Sequence, residues 1–213
     1  MNTLSIIIQD QHFVMHPLKV VYWEEKEALL AADVHLGKVS HFRKAGIAVP
    51  IGKMKEDVIN LTQLLNEYQP KTVFFLGDLF HSDFNKEASY LEDVIENFSD
   101  VRFHLVTGNH DLPDFRAKME ERLQINDRLV LDRFLLSHQP DDSSPDLFQL
   151  CGHVHPAVRL KGPSKQHLKL PCFYMTGKRM ILPSFGSFTG NRIMKPEKGS
   201  RVYVVAGTKV LEV

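Results

Sequence analysis

The chain has 213 residues, 43% hydrophobic and 24% charged, which is ordinary for one soluble globular domain spanning 1–213. No apolar run approaches the 18 or so residues of a membrane span, and two cysteines, Cys151 and Cys172, make neither a disulfide framework nor a thiolate metal site. A membrane partner is therefore not expected, and a reducing cytoplasm is the expected location.

The formal net charge is zero but unevenly spread: residues 155–213 hold 11 Lys/Arg against 2 Asp/Glu, and residues 1–154 hold 15 against 24. Such asymmetry marks a face for an anionic partner or, equally, lysines solvated on exposed strands.

In chain order, the opening "MNTLSIIIQD" lacks a basic n-region and its apolar stretch is short for a signal peptide, so it predicts a first strand. "EALLAAD" predicts a strand, and Met54, Val58, Leu61, Leu65 and Tyr68 fall at helical spacing over 53–68. "TVFFLGD" predicts another strand, and Leu91, Val94, Ile95 and Phe98 share one helical face over 86–98. "VRFHLVTGNHD" returns to a strand. Beyond residue 125 come short strand-like runs: "RFLLSH", "LFQLCGH", "RMILPSFG" and "RVYVVAG". Strand–helix alternation followed by consecutive strands predicts a layered α/β sandwich.

Five of these strands end in metal-ligand residue types. Asp33 and His35 close the first, Asp78 and His81 the second, and Asn109, His110 and Asp111 the third. His138 closes the fourth, and His153 and His155 the fifth, so that six of the 11 histidines lie at strand ends. Ligand sites in open α/β sheets form outside the carboxyl ends of strands, and neighbouring strands lie about 4.8 Å apart, so these groups can converge. Carboxylate, imidazole and amide oxygen without thiolate suit Mn²⁺, Fe²⁺ or Zn²⁺. Alternation along an extended strand would put Asp33 with His35, and His153 with His155, on one face. Gly77, Gly108 and Gly152 each precede a ligand-type residue, where a Cβ would crowd the turn.

In order, the blocks DxH, GDxx(D/H), GNH(D/E), (G/S)H and GHxH across 33–155 resemble the calcineurin-like metallophosphoesterases. The resemblance implies two mixed β-sheets flanked by helices and a two-ion centre. It assigns Asp33, His35, Asp78 and His155 to one ion, and Asp78, Asn109, His138 and His153 to the other, with Asp78 bridging. His81, where many relatives carry Asp, is not expected to be a ligand. Ser137 replaces a common Gly. The resemblance also makes His110 a phosphate contact or general acid for the leaving oxygen, oriented by Asp111. Mn²⁺ is the expected ion, with Fe²⁺, Zn²⁺ and Mg²⁺ as alternatives.

A narrower resemblance rests on "ADVHLGK", "HFRKAGIAVP", "GDLFHS", "TGNHD", "GHVHP" and "LPSFGSFTGNR", and spans nearly the whole chain. These look like the bacterial ligase-associated DNA damage response endonucleases. That implies DNA as substrate and an ATP-dependent DNA ligase, a helicase and an exonuclease-like protein as partners. Lys38, His41, Arg43 and Lys44 become phosphate-contact candidates, with Arg192 beside the site; a solvated loop is the alternative. A phosphodiesterase or phosphatase on small nucleotides is the second functional reading, and a non-catalytic scaffold of the same fold the third.

Overall fold

Residues 1–38, 46, 55–80, 86–111, 119, 122–162 and 166–213 are described by a computed structural model. The chain opens with an antiparallel meander of β1 (Leu4–Ile8), β2 (Gln11–His16), β3 (Val20–Trp23) and β4 (Ala28–Ala32). Gln9 and Asp10 join β1 to β2 with both residues left-handed (φ 52° and 61°). Two such residues make the two-residue hairpin whose twist matches that of its strands.

From β4 the pairing turns parallel, through β5 (Thr72–Leu76), β6 (Arg102–Val106) and β7 (Gln124–Asn126). The crossovers are α1 (Glu56–Tyr68) and α2 (Lys86–Asn97), where the apolar periodicity places them. α1 stops at Gln69, which is left-handed (φ 45°) with its amide on the Leu65 carbonyl; Pro70 follows and cannot continue a helix.

Every residue of β4 and β5 is buried because both faces of the sheet are covered. Leu29, Ala31, Val73 and Phe75 share a core with Leu61 and Leu65 of α1 and Leu91 of α2. Leu30, Phe74 and Leu76 instead meet Phe134, Leu136 and Phe173 of a second sheet. Burying each such leucine stabilises the fold by about 1.5–3 kcal/mol.

The second sheet is also mixed. Its order is β14 (Arg192–Ile193), β11 (Pro156–Lys161), β12 (His167–Met175), β13 (Arg179–Ile181), β10 (Phe148–Cys151), β9 (Phe134–Ser137) and β8 (Leu129–Leu131). β15 (Arg201–Ala206) adds to β12, and β16 (Lys209–Glu212) to β15. Two mixed sheets packed face to face, with helices outside the first, make the layered sandwich that the motifs imply. Among the described residues, α1 and α2 both cover the first sheet, and no helix is long and apolar enough to cross a membrane. The outer face of the second sheet carries its own apolar cluster, in which Val158 of β11 meets Cys172 and Tyr174 of β12.

Strand direction is what positions the site. β4, β5 and β6 run parallel in one sheet, as β9 and β10 do in the other. An isolated parallel bridge from Ala32 to Ser184, with the Phe185 amide on the Ala32 carbonyl (2.8 Å), ties the end of β4 to the segment after β13.

Candidate metal centre

Asp33 and His35 follow β4, Asp78 follows β5 and His138 follows β9, while His153 and His155 follow β10. The fold gathers them into two trios, Asp33/His35/His155 and Asp78/His138/His153, each with its ligand atoms within 4.8 Å of one another. Asp33, Asp78, His35 and His138 are buried, and His153 is exposed.

The backbone is bent to achieve this. Asp33, His35, Asp78, His153 and His155 are all left-handed, with φ between 47° and 67°. That region is costly for residues with a Cβ, and such strain persists where the surroundings over-determine it. It also corrects the alternation argument. Residues 33–35 and 153–155 are not extended strand. Asp33 and His35 still share a trio, but His153 and His155 join different ones.

The donor set fits divalent cations. Asp33 Oδ1 and His155 Nε2 lie 3.3 Å apart, both buried and without a hydrogen-bond partner among the described residues. Two atoms each about 2.0–2.2 Å from a common ion at an open angle fall at that spacing. His138 Nε2 is 3.0 Å from His153 Nδ1 and 3.5 Å from Asp78 Oδ2. The same Asp78 oxygen lies 4.0 Å from His35 Nε2 in the other trio, so the two donor sets adjoin at Asp78. Two carboxylates buried this deeply are expensive without a cation.

Supporting contacts orient the donors. His155 Nδ1 donates to the Gly190 carbonyl (3.0 Å) and His138 Nδ1 to the Leu76 carbonyl (3.3 Å), which leaves each Nε2 lone pair for an ion. The Asp33 carbonyl accepts from Ser184 Oγ (2.8 Å) and the Gly186 amide (3.2 Å), and Asp33 Oδ2 accepts from the His153 amide (2.8 Å). Gln149, only 2% exposed, donates to Ser137 Oγ (2.7 Å), and that hydroxyl donates to the Gln139 carbonyl (2.9 Å). This closes the turn carrying His138, so Ser137 gives the turn an anchor that Gly would lack. Close approach explains all three predicted glycines: a Cβ at Gly77 would strike the His138 ring, one at Gly108 the Asp78 carboxylate and backbone, and one at Gly152 the Asp33 carboxylate.

Asp111 works through the backbone. Its Oδ1 accepts from the Leu79 amide (2.9 Å) and its Oδ2 from the Gly108 amide (2.8 Å), which fastens the loops after β5 and β6 together. Burial raises its carboxyl pKa, partly offset by the Gly108 amide. His110, next in the chain, donates its amide to Asp78 Oδ1 (2.9 Å). Its exposed ring lies 5.9 Å from that of His35. Asn109 is exposed beside it. Asn109, His110 and His153 thus form a lip open to solvent. Burial lowers the pKa of Lys38, partly offset by the charges of Asp78 and Asp33. Arg192 is exposed on β14, with its amide on the His155 carbonyl (2.9 Å). His41, Arg43, Lys44 and His81 lie outside the described residues.

Sequence reasoning does not reach Gln149, Ser184 or Gly190 as supports. Gln149 carries a signal, as a lone amide inside the apolar run "LFQLC". Two more charges lie behind the Ser184–Gly186 segment. Lys19 donates to the Gly186 carbonyl (3.4 Å), and burial lowers its pKa to about 8. Asp57 accepts from the Ser187 amide (3.0 Å), and burial raises its pKa to about 6.

A family model described as calcineurin-like phosphoesterase matches residues 28–148. The crystal structure of a nuclease, MPE, from Pseudomonas putida is similar along the full length of both chains, with 28% identity and a TM-score of 0.80. Yfce, a phosphoesterase from E. coli, aligns over 87% of this chain and 97% of its own, at 14% identity and a TM-score of 0.44. No curated protein matches the chain.

Proposed function

The chain belongs to the calcineurin-like phosphoesterases and is a metal-dependent phosphoesterase; from that premise we propose that it is a two-metal phosphodiesterase that cleaves DNA during repair. The observation that carries the two-metal reading is the position of Asp78, whose Oδ2 faces His138 in one trio and His35 in the other. Similarity to a nuclease along the full chain supports a nucleic-acid substrate.

Asp33, His35, Asp78 and His155 would hold one ion; Asp78, Asn109, His138 and His153 would hold the other, with Mn²⁺ as the proposed metal. Such a pair stabilises charge on the attacking and leaving oxygens of an in-line displacement and makes water a competent nucleophile near neutral pH. The protein's own part is to present and protonate. The exposed His110 at the lip donates a proton to the leaving oxygen. Asp111 holds the His110 loop to the Asp78 loop, and the Lys38 ammonium offsets negative charge at the phosphoester. Two buried, unpaired thiols suit a reducing cytoplasm, and a DNA ligase, a helicase and an exonuclease-like protein are the proposed partners.

The test is the purified protein with Mn²⁺ on single- and double-stranded DNA, RNA and bis(p-nitrophenyl) phosphate. DNA cleavage abolished by chelator is expected. Turnover of the small diester with no attack on any polynucleotide would instead establish the small-substrate reading.

A further inference from the structure

We propose that the exposed face of the β11–β12 hairpin is a phosphate track that carries a polynucleotide strand to the metal centre, with Arg159, Lys161 and Lys169 as its contacts. The proposal rests on the nuclease reading above and adds the surface that reading leaves open. β11 and β12 pair antiparallel so that Arg159 stands opposite Lys169, and Lys161 opposite His167. Residues directly opposite share a face, and like charges so placed destabilise a sheet. All four are exposed. The intervening Val158, Leu160 and Leu170 turn to the apolar cluster on the other face, so the hairpin cannot flip to hide its cations.

Several other cations among the described residues are ion-paired. Lys26 meets Asp132, Lys71 meets Glu27, Arg122 meets Glu92 and Glu96, Arg179 meets Asp142, and Arg201 meets Glu212. Among the described residues, no ion pair neutralises Arg159, Lys161 or Lys169. A cluster that repels itself and has no ion-pair partner among the described residues fits an anion supplied from outside.

The track is physically continuous with the site. β11 starts one residue after His155. The Gly190 carbonyl accepts from the His155 ring, and the next carbonyl, of Asn191, accepts from Lys169 Nζ (2.7 Å). Lys169 is therefore fixed to the same short segment that orients a metal-ligand imidazole. Along the strand, at about 3.3 Å per residue, Arg159 and Lys161 lie about 13 and 20 Å of chain beyond His155. A mononucleotide held at the metals does not reach that far, whereas a polynucleotide carries charge all along its length. The occupant is thus a polyanion anchored at the centre and extending over the hairpin.

The test is the binding of metal-loaded protein to a labelled phosphorothioate duplex, which resists cleavage, across a salt series. The variants are Arg159→Gln/Lys161→Gln and, as a control of equal charge change on exposed lysines elsewhere in the basic segment, Lys178→Gln/Lys209→Gln. Each lost phosphate contact removes about 0.9 from the slope of log K against log salt. The hairpin variant should lose about 1.8 and bind at least about tenfold more weakly at low salt, since several kilocalories of backbone attraction rest on such contacts. The control should stay close to wild type. Equal losses in the two variants, or an unchanged slope in the hairpin variant, would overturn the track. The single variants Arg159→Gln and Lys161→Gln, each worth about half the slope change, give the same answer should the double variant fold poorly. Cleavage of unmodified DNA by the wild type separates the two levels. DNA cleavage together with an unchanged slope rejects the track and leaves the nuclease reading standing. No DNA cleavage, with the small diester still turned over, rejects both.

Discussion

The two sheets supply different chemistry to one centre. The first provides Asp33, His35 and Asp78, so both carboxylates come from parallel strands buried on each face. The second provides three imidazoles, His138, His153 and His155, two of which reach toward solvent. Each trio takes members from both sheets, so the centre is a seam and neither sheet holds it alone. The charge that attracts cations is placed where water is excluded. Of the imidazole donors from the second sheet, His153 and His155 lie on the open side.

If that division is right, removing an anion at the seam should cost far more than removing an imidazole at its rim. Asp78→Ala is expected to lose both ions and reduce turnover to background, because the carboxylate at which the two trios adjoin disappears. His155→Ala should mainly deplete one ion. Metal content after gel filtration reads both, and full occupancy in the Asp78 variant would break the bridging assignment.

The lip is separable from the seam. His110→Ala should keep its metals but lose about 10²–10⁴-fold in turnover on diesters with poor leaving groups, and much less on nitrophenyl diesters, which need little proton donation. A leaving-group series checks this, and uniform losses across it would make His110 a phosphate-positioning residue.

A smaller effect sharpens the comparison from behind the donors. Gln149→Leu removes the support of the His138 turn, and Ser184→Ala one support of the Asp33 backbone. Loss of such outer contacts typically costs about 10–100-fold in metal affinity. Each variant should therefore weaken a different ion in a calorimetric titration, and identical effects on both ions would show that the trios are not separately supported.

Much of this is legible in the chain because the relevant information is contiguous. "LLAADVH" and "VFFLGD" each join a buried parallel strand to its terminal ligand, and the apolar periodicity of 56–68 and 86–97 marks the crossovers between them. Strands with weaker local signals are missed. β12 is one: its first half pairs with β11 and its second half with β13 and β15, so no single alternation runs through it, and Pro171 interrupts the middle. β2 and β3 are others, recognisable mainly through their partners.

By itself, then, the order of residues determines the donor types, their places at strand ends and the excess of cations after residue 154, because each depends on neighbours along the chain. Tertiary structure alone decides that His153 and His155 part company, since their left-handed backbones abolish the alternation that local spacing implies. It alone sets Asp78 between the trios, and joins the segment after β13 to both Asp33 and His155. It alone aligns Arg159 with Lys169. These relations hold between residues dozens of positions apart, and they come from sheet register and from the packing of one sheet on the other, which no local pattern encodes.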